Sequence, residues 1–217
     1  MKYLSIILSI IFATGCSTHM TKVVYEGDGI QQQVIVKVIK GVSVSDNRGT
    51  DGNWLGAIRG GYGNRLKTLR TDQSTDVVVQ KMYLDALEKS SLLSDVSGAP
   101  FTLKVVITKF DCSYYFNREA HAYLDVSLID SSSSNITFTK TYKTDEVESG
   151  VGAGVFGSVE TLRDLAETAM NKTIDKTLSD PEFLNALSHP SINTTSERLR
   201  KIDELYQNDV INKEEYE

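Results

Sequence analysis

Histidine, cysteine, proline and tryptophan are scarce in this chain, and most of these shortages remove an option. Three histidines and two cysteines in 217 residues leave little material for a zinc site, and no metal or other cofactor is expected. The net charge is −6, with no basic stripe to displace counterions from a phosphate backbone, so nucleic acid is not an expected partner. No apolar run approaches the ~20 residues that a membrane-crossing helix requires. What is present is ordinary for a globular protein. The hydrophobic fraction is 40% and the charged fraction 24%, enough for one domain with a real core and a tail.

The longest apolar run stands at the start. Lys2 supplies a positive charge, Leu4 to Phe12 are apolar apart from two serines, and Ala13, Thr14 and Gly15 are small enough for a peptidase cleft. Ala13-Thr14-Gly15-Cys16 resembles the lipobox of bacterial lipoprotein precursors. That resemblance implies loss of residues 1–15 and acylation of Cys16. A plain secretory signal is the alternative. Stable anchoring takes more than one acyl chain, because a single chain binds only reversibly, and the tri-acylated cysteine of that class meets the requirement. Ser17 follows Cys16 where aspartate usually signals inner-membrane retention. The expected location is therefore the inner leaflet of the outer membrane, facing the periplasm, with the inner membrane as alternative. With Cys16 acylated, Cys112 has no partner for an internal disulfide.

Behind the anchor, residues 16–30 read as a lipidated tether, which fully extended would reach roughly 45 Å. Residues 31–187 read as one α+β domain. Val34 to Val44 is the first expected strand, and residues 45–72, rich in glycine and asparagine, form a long aperiodic loop. An amphipathic helix follows over 75–90, with Val77, Val78, Leu84 and Leu87 as its apolar stripe. Phe101–Phe110, Arg118–Asp130 and a strand from Ile136 alternate with period two and read as an antiparallel meander. Ser158–Leu178 carries the clearest helical stripe: Leu162, Leu165, Ala166, Ala169, Thr173, Ile174 and Leu178. A short helix follows Asp180-Pro181. The expected architecture is a single antiparallel sheet with two long helices packed on one face. A linker (188–195) and a short helical tail (196–217) complete the chain.

Chemistry-bearing groups are few. Asp46, Arg48, Asp51 and Arg59 flank Trp54, the one tryptophan, in the long loop. They read as an internal ion-pair network that orders the loop or, with Trp54 and Tyr62 as aromatic anchors, as a recognition patch. Tyr114, Tyr115 and Phe116 cluster at a strand turn. Residues 150–157, rich in glycine, lack the Gly-Lys-Ser/Thr ending of a P-loop and read as a hinge or a close-packing segment. Cys112 reads as a structural cysteine and His121 as a surface histidine. No serine, histidine and acid are placed together for nucleophilic catalysis, so a non-enzymatic protein is expected.

Two stretches resemble known families. Val42 to Gly49, followed by Asn53-Trp-Leu-Gly-Ala-Ile-Arg-Gly-Gly-Tyr-Gly-Asn64, resembles the YajG family of bacterial lipoproteins, more loosely to about Leu187. The likeness implies a periplasm-facing α+β domain on a lipid anchor and brings no catalytic residues with it. The tail from Ser196 to Glu217 is similar to the SHOCT motif, with Leu199, Ile202, Leu205 and Tyr206 on one helical face. It is expected to dock on its own domain or a partner and to assist oligomerisation. The resulting expectation is an envelope adaptor or assembly factor with a protein partner. The alternative is a binding module for a small molecule or glycan, which requires an apolar pocket lined by Trp54, Tyr62 and the Tyr114 cluster.

Overall fold

Among the described residues, seven strands form one mixed sheet: β1 (Ser17–Thr21), β2 (Ile39–Asp46), β3 (Trp54–Arg59), β4 (Arg65–Thr71), β5 (Phe101–Tyr114), β6 (Asn117–Asp130) and β7 (Ile136–Ser149). Three helices accompany them among the described residues, α1 (Thr75–Lys89), α2 (Val159–Leu178) and α3 (Pro181–Ser188). The computed structural model describes residues 17–30, 38–96, 98–149 and 158–188. The expected signal peptide and Cys16, the expected C-terminal tail, Val34, Val36 and the glycine-rich stretch 150–157 lie outside the described residues.

β5, β6 and β7 are the antiparallel meander that their alternation predicts. The remaining pairings correct the expectation of a purely antiparallel sheet. β2 runs parallel to β5 over Phe101–Ile107, and β3 runs parallel to the same edge of β5 over Cys112–Tyr114. β4 turns back antiparallel on β3, and β1 closes that side in parallel with β4. The expected loop over 45–72 is thus largely a hairpin. Its period was hidden because the β3–β4 register shifts at both ends of β3, and a bulge breaks the two-residue alternation.

The core lies on one sheet face. Phe101, Leu103, Val105 and Ile107 point into it, the register then shifts before Lys109, and Phe110, Cys112 and Tyr114 continue the same face. Ala120, Ala122, Leu124, Val126 and Leu128 supply the β6 contribution. α1 lies over β2, and α2 lies over β5, β6 and β7. The whole α2 stripe named from the sequence is buried, and Ser158 Oγ caps the helix by accepting from the Glu160 amide at 3.1 Å. The α1 stripe is rotated from its expected face. Val78, Val79, Met82, Tyr83, Ala86 and Leu87 are buried, whereas Val77 is exposed. Tyr83 enters the core because its hydroxyl meets Thr177 Oγ1 at 3.2 Å, removing the cost of burying it unpaired.

The expected tether does not stand free of the domain. Ser17–Thr21 is a sheet strand, and Val23 and Tyr25 are buried. The following backbone runs along α2, where the Val24 amide donates to Glu167 Oε2 (2.8 Å) and the Tyr25 hydroxyl to Asp175 Oδ1 (2.5 Å). Polar composition hid this segment, because its bonds go to residues fifty to a hundred and fifty positions away.

One buried acid fixes the α2–α3 corner. Asp180 accepts from the Tyr142 hydroxyl (2.7 Å), the Glu182 amide (2.9 Å) and Lys140 Nζ (2.8 Å). Burial raises its pKa, but the Lys140 ammonium and the two hydrogen bonds outweigh it, so the carboxyl titrates below its usual 3.8. A depressed folded pKa means stability present above pH 3.8 and lost as the pH falls through the folded value. Asp180→Asn should cost roughly 1–3 kcal/mol at pH 7 and flatten the melting-temperature decline below pH 4. Parallel acid limbs for variant and wild type in a pH series of thermal melts would refute the assignment.

Candidate functional site

Asp46 and Arg48 form the internal network rather than a recognition patch. The Arg48 side chain is 4% exposed. Its Nε donates to Asp46 Oδ1 (2.8 Å) and its Nη2 to Asp46 Oδ2 (2.7 Å). The remaining donors reach the carbonyls of Trp54 (2.7 Å) and Phe110 (2.6 Å) and Thr75 Oγ1 (2.8 Å). Burial works to raise the Asp46 pKa, yet the hydrogen bonds from Arg48 win and hold it below the usual carboxylate value. This one guanidinium joins the end of β2, the start of β3, the edge of β5 and the start of α1.

Trp54 and Arg59 point their side chains away from that network. They stand on the sheet face that no described helix covers. The Arg65 guanidinium lies 4.5 Å from the Trp54 ring centroid and that of Arg70 lies 5.9 Å away, both within cation–π range. Arg70 is held by Asn53 Oδ1 (2.6 Å) and Asp51 Oδ2 (2.9 Å). Arg59 donates to the Gly63 carbonyl at 3.1 Å. A cleft of about 590 Å³ opens between Gly49, Thr50, Asp51, Trp54, Arg59 and Arg65. An adjoining cleft of about 230 Å³ lies among Trp54, Arg59, Lys109, Asp111, Ser113 and His121.

Beside Trp54 the strand register writes charges across the sheet in rows. Lys109, Tyr123 and Lys143 are cross-strand neighbours on β5, β6 and β7, as are Asp111, His121 and Asp145. Both ammonium groups sit 5.2 Å from the Tyr123 ring centroid. Asp145 accepts from the Tyr123 hydroxyl (2.6 Å) and lies 2.5 Å from His121 Nδ1. The Tyr123 hydroxyl, and after it His121, lower the Asp145 pKa, and the same Asp145 bond raises that of Tyr123. The result is a half-exposed platform of alternating sign with Trp54 and Tyr123 as its aromatic members.

Several of these residues were missed in the sequence: Arg65, Arg70, Lys109, Tyr123, Lys143 and Asp145. Alternation along β6 and β7 would have found Tyr123, Lys143 and Asp145, which are outward positions of their strands, whereas Lys109 has the parity of the inward Ile107 and turns outward only through the register shift that precedes it. Arg65 and Arg70 were hidden with the β3–β4 hairpin.

Other expected groupings separate. Tyr62 is fully exposed at the β3–β4 turn and Tyr114 is buried, so they line no common apolar pocket with Trp54. Tyr115 reaches the turn instead, its hydroxyl donating to the Gly61 carbonyl at 3.0 Å, and Phe116 is exposed beside it. Cys112 is buried, and burial pushes its thiol pKa well above the ordinary value, which disfavours the thiolate that chemistry at sulfur needs. Among the described residues, no group of three or more His, Cys, Asp or Glu side chains is placed to hold a metal ion. No helix among them is long and apolar enough to cross a membrane.

No protein-family model matches the sequence, and no curated protein matches it either. Solved structures do match. Protein XCC0632 from Xanthomonas campestris, of family DUF330, superposes with a TM-score of 0.52 at 15% identity, over 75% of this chain and 95% of that one. The two share a fold. Looser matches include the minor lipoprotein from Acinetobacter baumannii (TM-score 0.30, 12% identity, 73% of this chain and 93% of that one). Lipoprotein GNA1162 from Neisseria meningitidis is another, at 0.26 and 12%, over 62% of this chain and 94% of that one.

Proposed function

We propose that this chain is a lipid-anchored envelope lipoprotein of the YajG-like kind, acting without catalysis as an adaptor or assembly factor. Cys16 carries the anchor, the inner leaflet of the outer membrane is its seat, and the uncovered sheet face around Trp54 binds an envelope protein. A SHOCT-like tail that assists self-association belongs to the same reading.

The observation that carries it is the platform itself. Trp, Tyr and Arg are the residues that dominate binding energy at protein interfaces, and here Trp54, Tyr123, Arg59 and Arg65 share one face. Rows of opposite charge beside them favour a partner with complementary rows and reject a uniformly charged polymer. The clefts are open and lined by charged groups, which suits a broad protein surface better than an enclosed small ligand.

Two measurements test this reading. Lipid labelling with membrane fractionation should show acyl chains incorporated into wild type and lost from Cys16→Ser; equal behaviour of the two removes the anchor. Photo-crosslinkers placed at Ser113 and Thr141 should give one discrete adduct in cells, and a crosslinker at Asp85 on α1 should give none. Trp54→Ala should weaken that adduct tenfold or more, since a hot-spot side chain contributes about 2 kcal/mol or above, while the melting temperature stays near wild type. If Trp54→Ala and Arg59→Ser act only by unfolding the domain, the recognition role is wrong. An adduct with glycan instead of protein selects the binding-module alternative.

A further inference from the structure

We infer that the end of the sheet formed by the β3–β4 and β5–β6 turns lies against the lipid surface, with Tyr62 and Phe116 in the headgroup layer. This rests on the proposed acylation of Cys16.

The placement follows from β1. It pairs in parallel with β4, Ser17 opposite Lys67, so the described chain begins beside the β3–β4 turn. Cys16 is one peptide bond ahead of Ser17. The segment expected to hold the domain tens of ångströms from the membrane instead begins as a sheet strand at Ser17, and no spacer separates an acylated Cys16 from the fold. Whichever end of the domain carries Ser17 must therefore sit at the bilayer.

That end has the side chains for it. Among the described aromatic residues, the two that are largely exposed are Tyr62, fully exposed, and Phe116, 69% exposed. Both are there, on turns joined by the Tyr115–Gly61 hydrogen bond. Leu66, 37% exposed, stands beside them at the start of β4. Exposed aromatic rings suit the membrane–water boundary, where an apolar body and a wet rim are both satisfied. In water the same rings gain nothing from their exposure. The opposite end holds the β6–β7 turn and the loop before β5, joined by the Ser131 amide on the Pro100 carbonyl (2.7 Å). β5 has 14 residues, which at about 3.3 Å each puts the two ends roughly 45 Å apart. The Trp54 platform runs along the face between them and is left free for a partner.

The test uses full-length, acylated protein reconstituted into phosphatidylethanolamine/phosphatidylglycerol vesicles with brominated acyl chains, which quench tryptophan only at short range. In a Trp54→Phe background, Phe116→Trp reports on the tip, Tyr62→Trp is a second tip reporter, and Val96→Trp reports on the far end. All three positions are exposed, so folding should persist, with circular dichroism as the check. Emission of both tip reporters should fall at least twofold relative to unbrominated vesicles, and the far-end reporter should not change. If mass spectrometry confirms the acyl chains and the tip reporters are quenched no more than the far-end one, the docking inference is overturned while the anchor stands. If no acyl chains are found, the anchor reading fails and the inference falls with it.

Discussion

Arg48→Met should lower stability by about 3–5 kcal/mol, the range for leaving one member of a buried ion pair unpartnered, out of a total of about 5–15 kcal/mol for a domain. The reason is visible on the edge of β5. β2 pairs with that edge only as far as Ile107 and β3 takes it up only at Cys112. Between them the Asn47 amide donates to the Ile107 carbonyl (2.9 Å) and Arg48 Nη1 to the Phe110 carbonyl (2.6 Å). Arg48 thus satisfies backbone groups that no strand reaches. Removing it leaves the partly buried Asp46 carboxylate without its cation and the Phe110 and Trp54 carbonyls without this donor. Arg48→Lys should recover only a small part of the loss, because an ammonium cannot reproduce the fork that meets both Asp46 oxygens and two carbonyls at once. Urea denaturation with a double-mutant cycle through Asp46→Asn measures this. A loss under about 1 kcal/mol for Arg48→Met would show that the loop is held by something else.

The same geometry explains what could be read from the chain and what could not. The meander and both long helices were legible because their periodicity serves one large core, so Leu103, Val105, Leu124, Val126, Leu162 and Ala169 repeat at the spacing that their elements require. β1, β3 and β4 were hidden for a local and a distant reason. Two register shifts erase the alternation of β3, and β1 is stabilised by pairing with residues some fifty positions away, which no local propensity records. Of the candidate residues, the charges around Trp54 were found together, but their division was not legible. Arg48 turns inward because the gap on β5 needs donors, and Arg59 stays outside because it lies beyond that gap, near the hairpin turn. The rows of Lys109, Tyr123 and Lys143 and of Asp111, His121 and Asp145 exist only through cross-strand register. A sequence shows each as an isolated polar position.

Separating the two surfaces matters for interpreting any phenotype. On the proposed reading, substitutions on the platform would change a binding face while the core stays intact, whereas substitutions at the tip would change how the domain meets lipid. Arg48 and Asp46 belong to neither, and a loss of function there reports on folding.

Gly56→Ala is the second change expected to have a large effect, about 3 kcal/mol, at the upper end for overpacking a core. Gly56 lies opposite Cys112 where β3 joins β5. A Cβ at this position would stand 2.0 Å from the Cys112 carbonyl oxygen and 2.6 Å from its Sγ. The nearer obstacle is backbone inside a strand, which cannot step aside without breaking the pairing that β3 makes with β5. Cys112→Ala should therefore fail to rescue Gly56→Ala, because it removes the sulfur and leaves the carbonyl. Gly61→Ala, where the added carbon meets nothing within 4 Å, should stay within about 0.5 kcal/mol of wild type. Urea midpoints give the energies, and amide exchange gives the mechanism. In Gly56→Ala, β3 and β4 should lose protection while β6 and β7 keep theirs, since the meander does not depend on that contact. Uniform loss of protection across the sheet, or rescue by Cys112→Ala, would mean that β3 is not the weak junction this geometry requires.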